Sequence, residues 1–326
     1  MLALARADVL QLLTLPDCID AVEGAFRLHA EGKTLGPGVL GIHAEDGGFH
    51  IKAAGLLGER NYFAAKTNAN FSDNPRRFGL PTIQGAVLLA DASNGTLLAV
   101  MDSGSVTALR TGAATAVAAK YLARRNARTA TIVGCGVQGE IQLASIAAVL
   151  PLRTARVYDL DHARAKDLAD RAAARLDLDV GAVTDLPRAL RESDVCVTCT
   201  PSRSAFVKAS DIAAGTFIAA VGADNPTKQE IEVDLLASAT LVVDVLEQCA
   251  EIGELHHALA AGVMSRTQVH AELGDVVAGR KPGRRRDDEI TIFDSSGTAL
   301  QDVAAAVAVY EKALESGRGT EVKLDA

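Results

Sequence analysis

The chain has 326 residues and a net charge of −8, and 48% of its residues are hydrophobic. That length allows two domains with a large buried core. The acidic balance, without a basic stripe, argues against a nucleic-acid surface. The N-terminus lacks the pattern of a secretory leader, and no uncharged apolar run is long enough to span a bilayer. We therefore expect a cytoplasmic protein with neither a nucleic-acid nor a membrane partner.

The first part of the chain predicts a domain with its own sheet. Residues 5–32 carry apolar side chains at helical spacing, which predicts a helical segment with one buried face. Short apolar runs broken by Gly, Asn, Asp and Pro then predict strands of an antiparallel or mixed sheet. These runs are 39–42, 49–53, 63–66, 83–89 and 97–100. A small-residue helix over 106–123 follows, and the domain limits are predicted as 1–124.

From residue 125 the pattern becomes that of a Rossmann-type domain, predicted to span 125–298. Apolar strands alternate with helices, which is typical of a doubly wound parallel sheet with right-handed connections. The strands are predicted at 129–133, 155–158, 195–199, 217–221 and 240–244. A last helix at about 299–326 is expected to pack back towards the first domain. The predicted fold class is α/β, a Rossmann-type doubly wound dinucleotide-binding domain plus an α+β substrate domain.

A glycine-rich turn follows the first strand of this second domain. Residues 131–140 read Thr-Ile-Val-Gly-Cys-Gly-Val-Gln-Gly-Glu, with Gly134, Gly136 and Gly139 at the spacing of a dinucleotide-binding turn. These glycines allow a tight turn, the approach of a pyrophosphate and close helix–strand packing, and the helix N-terminus then holds the phosphates. Asp159 ends the next apolar run, where an acid binds ribose hydroxyls. Because a 2′-phosphate fits badly there, NAD(H) is predicted rather than NADP(H).

Five cysteines give no disulfide pattern. Cys196 and Cys199 are three residues apart on a predicted strand, so their side chains point to opposite faces. We interpret them as buried structural thiols rather than a redox or metal-binding pair, and predict no metal site. Three arginines at 284–286 are followed at once by acidic residues, which favours a solvated loop.

Three charged residues are candidates for the chemistry of a substrate. Lys66 ends a predicted strand, where it can bind a carboxylate or, if desolvated, exchange a proton; an exposed strand-end lysine is the alternative. Arg110 lies in the first turns of a helix of small residues and can bind a carboxylate through two hydrogen bonds, with a surface ion pair as the alternative. Asp224 follows a predicted strand, where it either meets an amine or caps a helix near residue 227.

Two pairs of polar residues on strands are further candidates. His50 and Lys52 alternate with apolar residues and project on one face, towards either a cleft or solvent. Thr198 and Thr200 close a strand before Pro201, where their hydroxyls either reach a cofactor or form the strand-end turn. Both interpretations remain open for each pair.

With these residues assembled, the chain resembles the ornithine cyclodeaminase/mu-crystallin family nearly end to end. The resemblance rests on six blocks, which are Phe-Ala-Ala-Lys (63–66), Gly-Leu-Pro-Thr-Ile-Gln-Gly (79–85), Thr-Ala-Leu-Arg-Thr-Gly-Ala-Ala (107–114), Val-Gly-Cys-Gly-Val-Gln-Gly (133–139), Val-Gly-Ala-Asp-Asn-Pro-Thr-Lys-Gln-Glu (221–230) and Ile-Phe-Asp-Ser-Ser-Gly-Thr-Ala-Leu-Gln-Asp (292–302). It implies hydride exchange at the α-carbon of an amino acid, and a homodimer formed through the first domain with the sheets of two subunits joined.

The resemblance also implies roles for single residues. Lys66 and Arg110 become catalytic or carboxylate-binding groups, and Asp224 becomes a catalytic carboxylate. Together with the residues above, the predicted cofactor set is Thr82, Thr111, Gly134, Gly136, Val137, Gln138, Gly139, Asp159, Thr198, Thr200, Val221, Gly222, Lys228 and Ser295.

The family includes several related reactions. The predicted function is an NAD(H)-dependent amino-acid/imino-acid oxidoreductase of alanine-dehydrogenase or imine-reductase type, acting on a small amino or imino acid. Residues 244–254 are more similar to the archaeal alanine-dehydrogenase branch than to the cyclodeaminases. The alternatives are a cyclodeaminase that converts ornithine or a similar basic amino acid to a cyclic one with release of ammonia, and a non-catalytic, crystallin-like NAD(P)-binding protein.

One departure from the family pattern concerns the substrate carboxylate. An arginine is expected after the first helix, but the chain reads Gly-Pro-Gly-Val at 36–39 and has no arginine between Arg27 and Arg60. A charged hydrogen bond contributes about 1.5–3 kcal/mol, so the loss calls for a replacement. Either His50 or Lys52 replaces the arginine, or the substrate has a different shape.

Overall fold

The structure is a computed structural model, and it describes residues 1–324. The chain divides into two compact units, one made of residues 1–110 and 298–324, and one made of Thr111–Gly297. The division falls inside the helix Ser103–Leu122. The domain limits 1–124 and 125–298 remain predictions, because a compact unit need not fold independently.

The first 122 residues form six strands and four helices. In chain order they are β1 (Leu2–Leu4), α1 (Arg6–Leu12), α2 (Leu15–Ala30), β2 (Thr34–Ala44), β3 (Gly47–Leu57), β4 (Asn61–Asn70), α3 (Asn74–Phe78), β5 (Ile83–Asp91), β6 (Leu97–Asp102) and α4 (Ser103–Leu122). The helical segment predicted over 5–32 is confirmed, and it consists of two helices, α1 and α2. Thr14 caps the second helix by accepting a hydrogen bond from the Asp17 amide, and Pro16 lies in its first turn, which favours a new helix start.

Residues 129–294 form ten strands and seven α-helices. In chain order they are β7 (Thr129–Val133), α5 (Val137–Ala147), β8 (Thr154–Tyr158), α6 (His162–Arg175), β9 (Asp179–Ala182), α7 (Leu186–Arg191), β10 (Val195–Thr198), β11 (Arg203–Val207), β12 (Phe217–Ala220), β13 (Gln229–Ile231), α8 (Val233–Ser238), β14 (Thr240–Val243), α9 (Leu246–Ile252), α10 (Glu254–Ala260), β15 (Ala271–Glu272), α11 (Leu273–Val277) and β16 (Thr291–Asp294). The chain continues with α12 (Ala299–Ser316) and β17 (Thr320–Glu321). The strands predicted in this part begin within one residue of the observed positions.

A seven-stranded sheet forms the body of the first unit within residues 1–324, in the order β17–β1–β6–β5–β4–β3–β2. Neighbouring strands are antiparallel, except that β1 and β6 are parallel. Helix α12 packs against β3, β4 and α2. Its buried residues include Val303, Ala306 and Val309, which follow the helical period and form one apolar stripe.

An eight-stranded parallel sheet forms the body of the second unit, in the order β15–β14–β16–β12–β10–β7–β8–β9. The chain runs outward from β7 through β8 to β9 and then returns to β10 on the other side of β7. This reversal is the switch point of a doubly wound sheet, and ligands bind outside the carboxyl ends of the strands that flank it. The predicted Rossmann-type architecture is therefore present.

Several smaller predictions concern this second unit. Cys196 is buried and Cys199 partly so, and burial raises the pKa of both thiols. The prediction of a solvated basic loop is wrong for Arg284, whose guanidinium donates to the Leu122 carbonyl at 2.7 Å and the Thr291 hydroxyl at 2.9 Å. Within residues 1–324 there is no group of three His, Cys, Asp or Glu residues placed to hold a metal. No helix in that part of the chain is long and apolar enough to cross a membrane.

Candidate active site

The glycine turn joins β7 to α5. Gly134 has a φ of 103°, which favours glycine, and a Cβ there would lie 2.9 Å from the Cys199 carbonyl oxygen. A Cβ at Gly139 would lie 2.2 Å from the Gly134 carbonyl oxygen. A Cβ at Gly136 would meet no protein atom within 4 Å, and this residue is the N-cap of α5. Packing therefore explains the first and third glycines, while the second leaves the helix N-terminus open to a phosphate.

A cavity of about 620 Å³ lies beside this turn, at the carboxyl ends of β7, β8 and β10. Leu160 and Phe206 contribute apolar walls, and Asp159 also lines it. The two carboxylate oxygens of Asp159 accept hydrogen bonds from the amides of Cys135 and Asp161, each at 2.9 Å. These bonds fix the carboxylate beside the glycine turn, where a nucleotide-binding fold places a ribose.

A buried carboxylate, Glu230, joins the strand ends on the other side of the switch point. Its Oε1 accepts from the amide and the hydroxyl of Thr200, each at 2.7 Å. Its Oε2 accepts from the Thr198 hydroxyl at 2.7 Å and the Gly222 amide at 2.8 Å. A Cβ at Gly222 would lie 2.5 Å from this carboxylate, so the glycine allows the close approach. Thr198 and Thr200 therefore donate to Glu230, and their contact with a cofactor remains a prediction.

Asp224 lies on the loop between Gly222 and Glu230. The hydrogen bond from the Gly222 amide to the Glu230 side chain joins the two ends of this loop. The Asp224 side chain is 53% exposed and accepts a hydrogen bond from the Lys228 ammonium at 2.7 Å. The loop leads into β13, so the alternative that Asp224 caps a helix is wrong. The His257 ring lies 2.7 Å from the Lys228 carbonyl oxygen and supports the loop from α10. Asp224 and Lys228 thus form an accessible pair of opposite charges after β12.

Further buried acids lie at the same end of this sheet. Glu254 accepts from the Glu230 amide at 2.7 Å, and Asp294 accepts from the amides of Glu254 at 3.1 Å and Leu255 at 2.9 Å. Burial raises the pKa of Glu254 well above its usual value and that of Asp294 to about 7. Ser295 follows directly, and its buried hydroxyl has no hydrogen-bond partner among the described residues. Since unpaired buried hydroxyls are uncommon, this supports the predicted ligand contact.

In the first unit, Lys66 and Arg110 meet at the carboxylate of Asp302. The Lys66 ammonium donates to Oδ1 of Asp302 at 2.8 Å. Nε of Arg110 lies 2.9 Å from the same oxygen, and its Nη1 donates to Oε1 of Gln301 at 2.7 Å. All four side chains are buried. The structure therefore brings together Lys66 and Arg110, which were predicted to bind or transform a substrate. Both contact the Asp302 carboxylate, which was not predicted.

The register of the sheet places more polar residues on the same face. Lys52 pairs with Lys66 across β3 and β4, and His50 pairs with Asn68. Directly paired residues of neighbouring strands project to one side, so these four form one polar patch. Lys52 is buried, so the solvent-facing alternative is wrong for this residue. The strand-end position predicted for Lys66 is also wrong, because β4 continues to Asn70.

These neighbours change the proton affinity of Lys66 and Asp302. Burial lowers the pKa of Lys66 to about 7; Arg110 and Lys52 act in the same direction, and Asp302 opposes them. Burial acts to raise the pKa of Asp302, but Arg110 and Lys66 outweigh it, so this pKa lies below its usual value. Lys66 can therefore gain or lose a proton near neutral pH beside a carboxylate that stays ionised, as acid–base catalysis requires.

The other residues of the predicted cofactor set are placed as follows. Val137 begins α5 and is 74% exposed, which is unusual for an apolar side chain, and Gln138 follows it. Val221 comes directly after β12 and is partly buried. In the first unit, Thr82 precedes β5, whereas Thr111 is buried on α4 in the second unit. Their contacts with a cofactor remain predictions.

Comparison with known proteins decides the family. The model of the ornithine cyclodeaminase/mu-crystallin family matches residues 1–317. The chain belongs to this family. The motif blocks that predicted it are distributed over the whole matched range, so the assignment covers both units.

The family members similar to this chain are named for amino-acid and imino-acid reactions. An alanine dehydrogenase of Archaeoglobus fulgidus is 41% identical over 99% of this chain and 98% of its own length. An archaeal alanine dehydrogenase dimer with bound NAD has a TM-score of 0.95 at 41% identity, covering 99% of both chains. The Δ1-pyrroline-2-carboxylate reductase of Thermococcus litoralis, in complex with NADH and L-proline, has a TM-score of 0.94 at 35% identity, covering 99% of this chain and 100% of its own. These relatives confirm the predicted two-part α/β fold, the NAD(H) cofactor and the class of amino-acid/imino-acid oxidoreductase.

Four polar residues of the site were not predicted from the sequence. Gln301 and Asp302 end the family block 292–302, and Glu230 ends the block 221–230, so the motifs contained them without indicating a role. Asn68 lies two residues after Lys66, which is the spacing that puts side chains on one face of a strand. The sequence therefore located these residues, but their partners come from distant parts of the chain.

Proposed function

We propose that the chain is an NAD(H)-dependent oxidoreductase that exchanges hydride at the α-carbon of a small amino acid and interconverts it with the imino or oxo acid. The observation that carries this proposal is the buried charge of the first unit. Lys66 and Arg110 are 3% and 5% exposed, and both lie within 2.9 Å of a single carboxylate oxygen, Oδ1 of Asp302. An excess of buried positive charge is costly unless an anion compensates it, and a substrate carboxylate supplies that anion.

We assign the substrate carboxylate to Arg110 and Lys52. Arginine binds a carboxylate through paired hydrogen bonds. Lys52 pairs directly with Val39, the last residue of the Gly-Pro-Gly-Val segment in which an arginine was expected. Lys52 therefore lies beside the place of the missing guanidinium and is proposed as its replacement. His50, which pairs with Gly41 one step along the same face, is the second candidate.

The second unit supplies the groups that would hold the cofactor. The open side of Gly136 and the unpaired Ser295 hydroxyl fit such a ligand, with Asp159 for a ribose. When bound, NAD(H) supplies or accepts the hydride. Lys66, with a pKa of about 7, donates a proton to the substrate in the reductive direction and takes one back in the oxidative direction. The imine nitrogen takes the Lys66 proton, and Asp224 is assigned to the second proton, which the resulting amine gains or loses as an ammonium group.

We also propose a homodimer formed through the first unit. Strand β2 is an edge of the seven-stranded sheet, and Val39, Leu40 and Ile42 on it are each about half exposed. Consecutive residues of a strand point to opposite faces, so this edge exposes apolar groups on both. A long apolar edge favours association with another chain, and the similar archaeal alanine dehydrogenase is a dimer.

An activity screen tests the proposed reaction. The purified protein is given NADH or NADPH, small 2-oxo acids with ammonia or methylamine, and cyclic imino acids, and NADH absorbance is followed. The expected result is NADH oxidation with at least one substrate. In Lys52→Met the KM of that substrate should rise about ten-fold or more, the cost of one charged hydrogen bond. The exposed Lys33→Met variant is the control.

Other outcomes of the screen contradict the proposal. Release of ammonia from ornithine or a similar basic amino acid, without a net change in NADH, supports the cyclodeaminase alternative. Binding of NADH without turnover of any substrate supports the non-catalytic alternative. An unchanged KM in Lys52→Met removes this lysine from the carboxylate site and leaves His50 to be tested in the same way.

A further inference from the structure

We propose that Asp302 is the positioning residue of the substrate site: it holds the Lys66 ammonium next to the Arg110 guanidinium and keeps a proton on Lys66 for imine reduction. This inference rests on the proposed function, because it uses the roles assigned there to Lys66 and Arg110. The proposed function assigns no role to Asp302 itself.

Three separate elements meet at this carboxylate. Lys66 comes from β4, Arg110 from α4, and Asp302 from α12, 236 residues along the chain from Lys66. Nζ of Lys66 and Nε of Arg110 lie 2.8 Å and 2.9 Å from the same oxygen, Oδ1. Two positive groups so close together in a buried site repel each other strongly. The shared carboxylate is therefore what allows them to be neighbours.

The cluster is not a closed structural network. Three of its buried polar atoms have no hydrogen-bond partner among the described residues, namely Oδ2 of Asp302, Nε2 of Gln301 and Oδ1 of Asn68. In folded proteins the large majority of buried side-chain polar atoms have a partner. Two acceptors and one donor thus remain for another molecule, and a substrate with N–H groups and a carboxylate carries the complementary atoms.

The charged groups around Lys66 come from each element packed against it. Arg110 on α4 and Lys52 on β3 disfavour the protonated amine, whereas Asp302 on α12 favours it. The Cys18 thiol on α2 is also near Arg110 and Asp302, and it stays neutral because burial raises its pKa to about 12. Removal of the Asp302 charge therefore lowers the pKa of Lys66 further below about 7.

The test is the pH dependence of kcat/KM for imine reduction. Because Lys66 must carry a proton in order to donate it, kcat/KM falls as the pH rises through the pKa of Lys66. In Asp302→Asn this falling limb should move to lower pH by about one unit or more, as expected for loss of a neighbouring opposite charge. Glu311→Gln is the matched control, since Glu311 also lies on α12 and accepts a hydrogen bond from β4, from the Tyr62 hydroxyl at 3.0 Å. In Glu311→Gln the falling limb of kcat/KM should lie at the same pH as in the parent.

A second measurement covers the case in which Asp302→Asn is inactive. The folded-state pKa of Lys66 lies below its usual value of 10.5, so the unfolded chain binds more protons between about 7 and 10.5. The contribution of Lys66 therefore makes stability rise with pH across this window. In Asp302→Asn the rise in melting temperature should begin at lower pH. In a Lys66→Met background, Asp302→Asn should no longer change the pH at which the melting temperature begins to rise.

The outcomes separate this inference from the proposed function. The positioning role is contradicted if the falling limb of kcat/KM lies at the same pH in Asp302→Asn as in the parent. For an inactive variant, it is contradicted if the rise in melting temperature begins at the same pH as in the parent. Asp302 would then be a structural residue. Asp302→Glu, which keeps the charge at a different reach, should retain the parent limb with a lower kcat. If the proposed function fails, the parent reduces no imine at all, while the stability comparison still reports on Lys66 and Asp302.

Discussion

The two units bury carboxylates in opposite ways. In the second unit the oxygens of Glu230 accept four hydrogen bonds, two of them from backbone amides. Glu254 and Asp294 each accept from two amides. In the first unit Asp302 meets two buried cations and keeps one oxygen without a described partner. The acids of the second unit have their oxygens occupied by hydrogen bonds from backbone amides, whereas Asp302 keeps one oxygen available to another molecule.

We interpret this difference as one between structural carboxylates in the second unit and the proposed substrate site in the first. Backbone amides are fixed by the fold, so a carboxylate saturated by them ties loops together and has little capacity left for a ligand. Burial raises the pKa of Glu230, although its hydrogen bonds oppose this, whereas two cations hold the pKa of Asp302 below its usual range. Unbalanced charge and unpaired atoms instead leave interactions for a ligand to complete. Substitutions should therefore affect stability in the first group and turnover in the second.

The largest effect is expected for Lys66→Met. Loss of the proton donor should lower kcat for imine reduction by about 10²–10⁴-fold, the usual contribution of a general acid. Removal of one of several buried like charges should leave the melting temperature unchanged or raise it. Steady-state kinetics and thermal unfolding of the same samples check both statements. A large fall in melting temperature would instead place Lys66 among the structural residues and break the comparison.

Glu230→Gln should show the reverse signature. Each oxygen of Glu230 receives a backbone N–H, from Thr200 on one side and from Gly222 on the other. In either orientation, the new amide places its NH₂ group against one of these donors. One buried donor then loses its acceptor, at a cost of about 1–3 kcal/mol in the free energy of unfolding.

Denaturant unfolding measures the loss in Glu230→Gln, and a fluorescence titration with NADH measures the weaker cofactor binding expected when the loop carrying Asp224 loosens. Glu232→Gln is the control, because Glu232 lies two residues away and its side chain is 41% exposed. Full stability together with a large loss of turnover would give Glu230 the signature of a site residue and contradict the distinction drawn above.

Sequence patterns were sufficient to place the glycine turn and Asp159, which are proposed to hold the cofactor, because the signals there are local. The three glycines lie within residues 134–139 and Asp159 follows one strand later, so the spacing along a single βαβ unit determines their geometry. Thr200 was located correctly at a strand end. Its hydroxyl, however, donates to Glu230, 30 residues further on, and no local pattern indicates that partner.

The cluster of Lys66, Arg110 and Asp302, which is proposed as the substrate site, could be assembled only from the tertiary structure. Alternation along a strand predicted that His50 and Lys52 share a face, and the register agrees. The position of Lys66 was misjudged because its apolar run ends there, while the hydrogen-bonded strand continues through polar residues to Asn70. Asp302 could not be predicted as the partner of Lys66, because α12 reaches β4 only after the chain has formed the whole second unit.

The smallest effect is expected at Asp159, which shares features of both groups. Its oxygens accept from two backbone amides, as in the structural carboxylates, yet it lines a cavity and is predicted to bind a ribose. Asp159→Asn removes the charge and keeps one oxygen acceptor. Since the charge repels a 2′-phosphate and Arg164 lines the same cavity, the ratio of kcat/KM for NADH over NADPH should fall about ten-fold.

Asp161→Asn is the matched control for this change in cofactor preference. Asp161 lines the same cavity and caps α6 by accepting from the Ala163 amide, a role that asparagine fills equally well. The control therefore removes one charge from the cavity without loss of the cap, and its NADH preference should stay close to that of the parent. An equal shift in both variants would assign the preference to the total charge of the cavity. Asp159 would then have no specific role in cofactor preference and would be a structural carboxylate like Glu230.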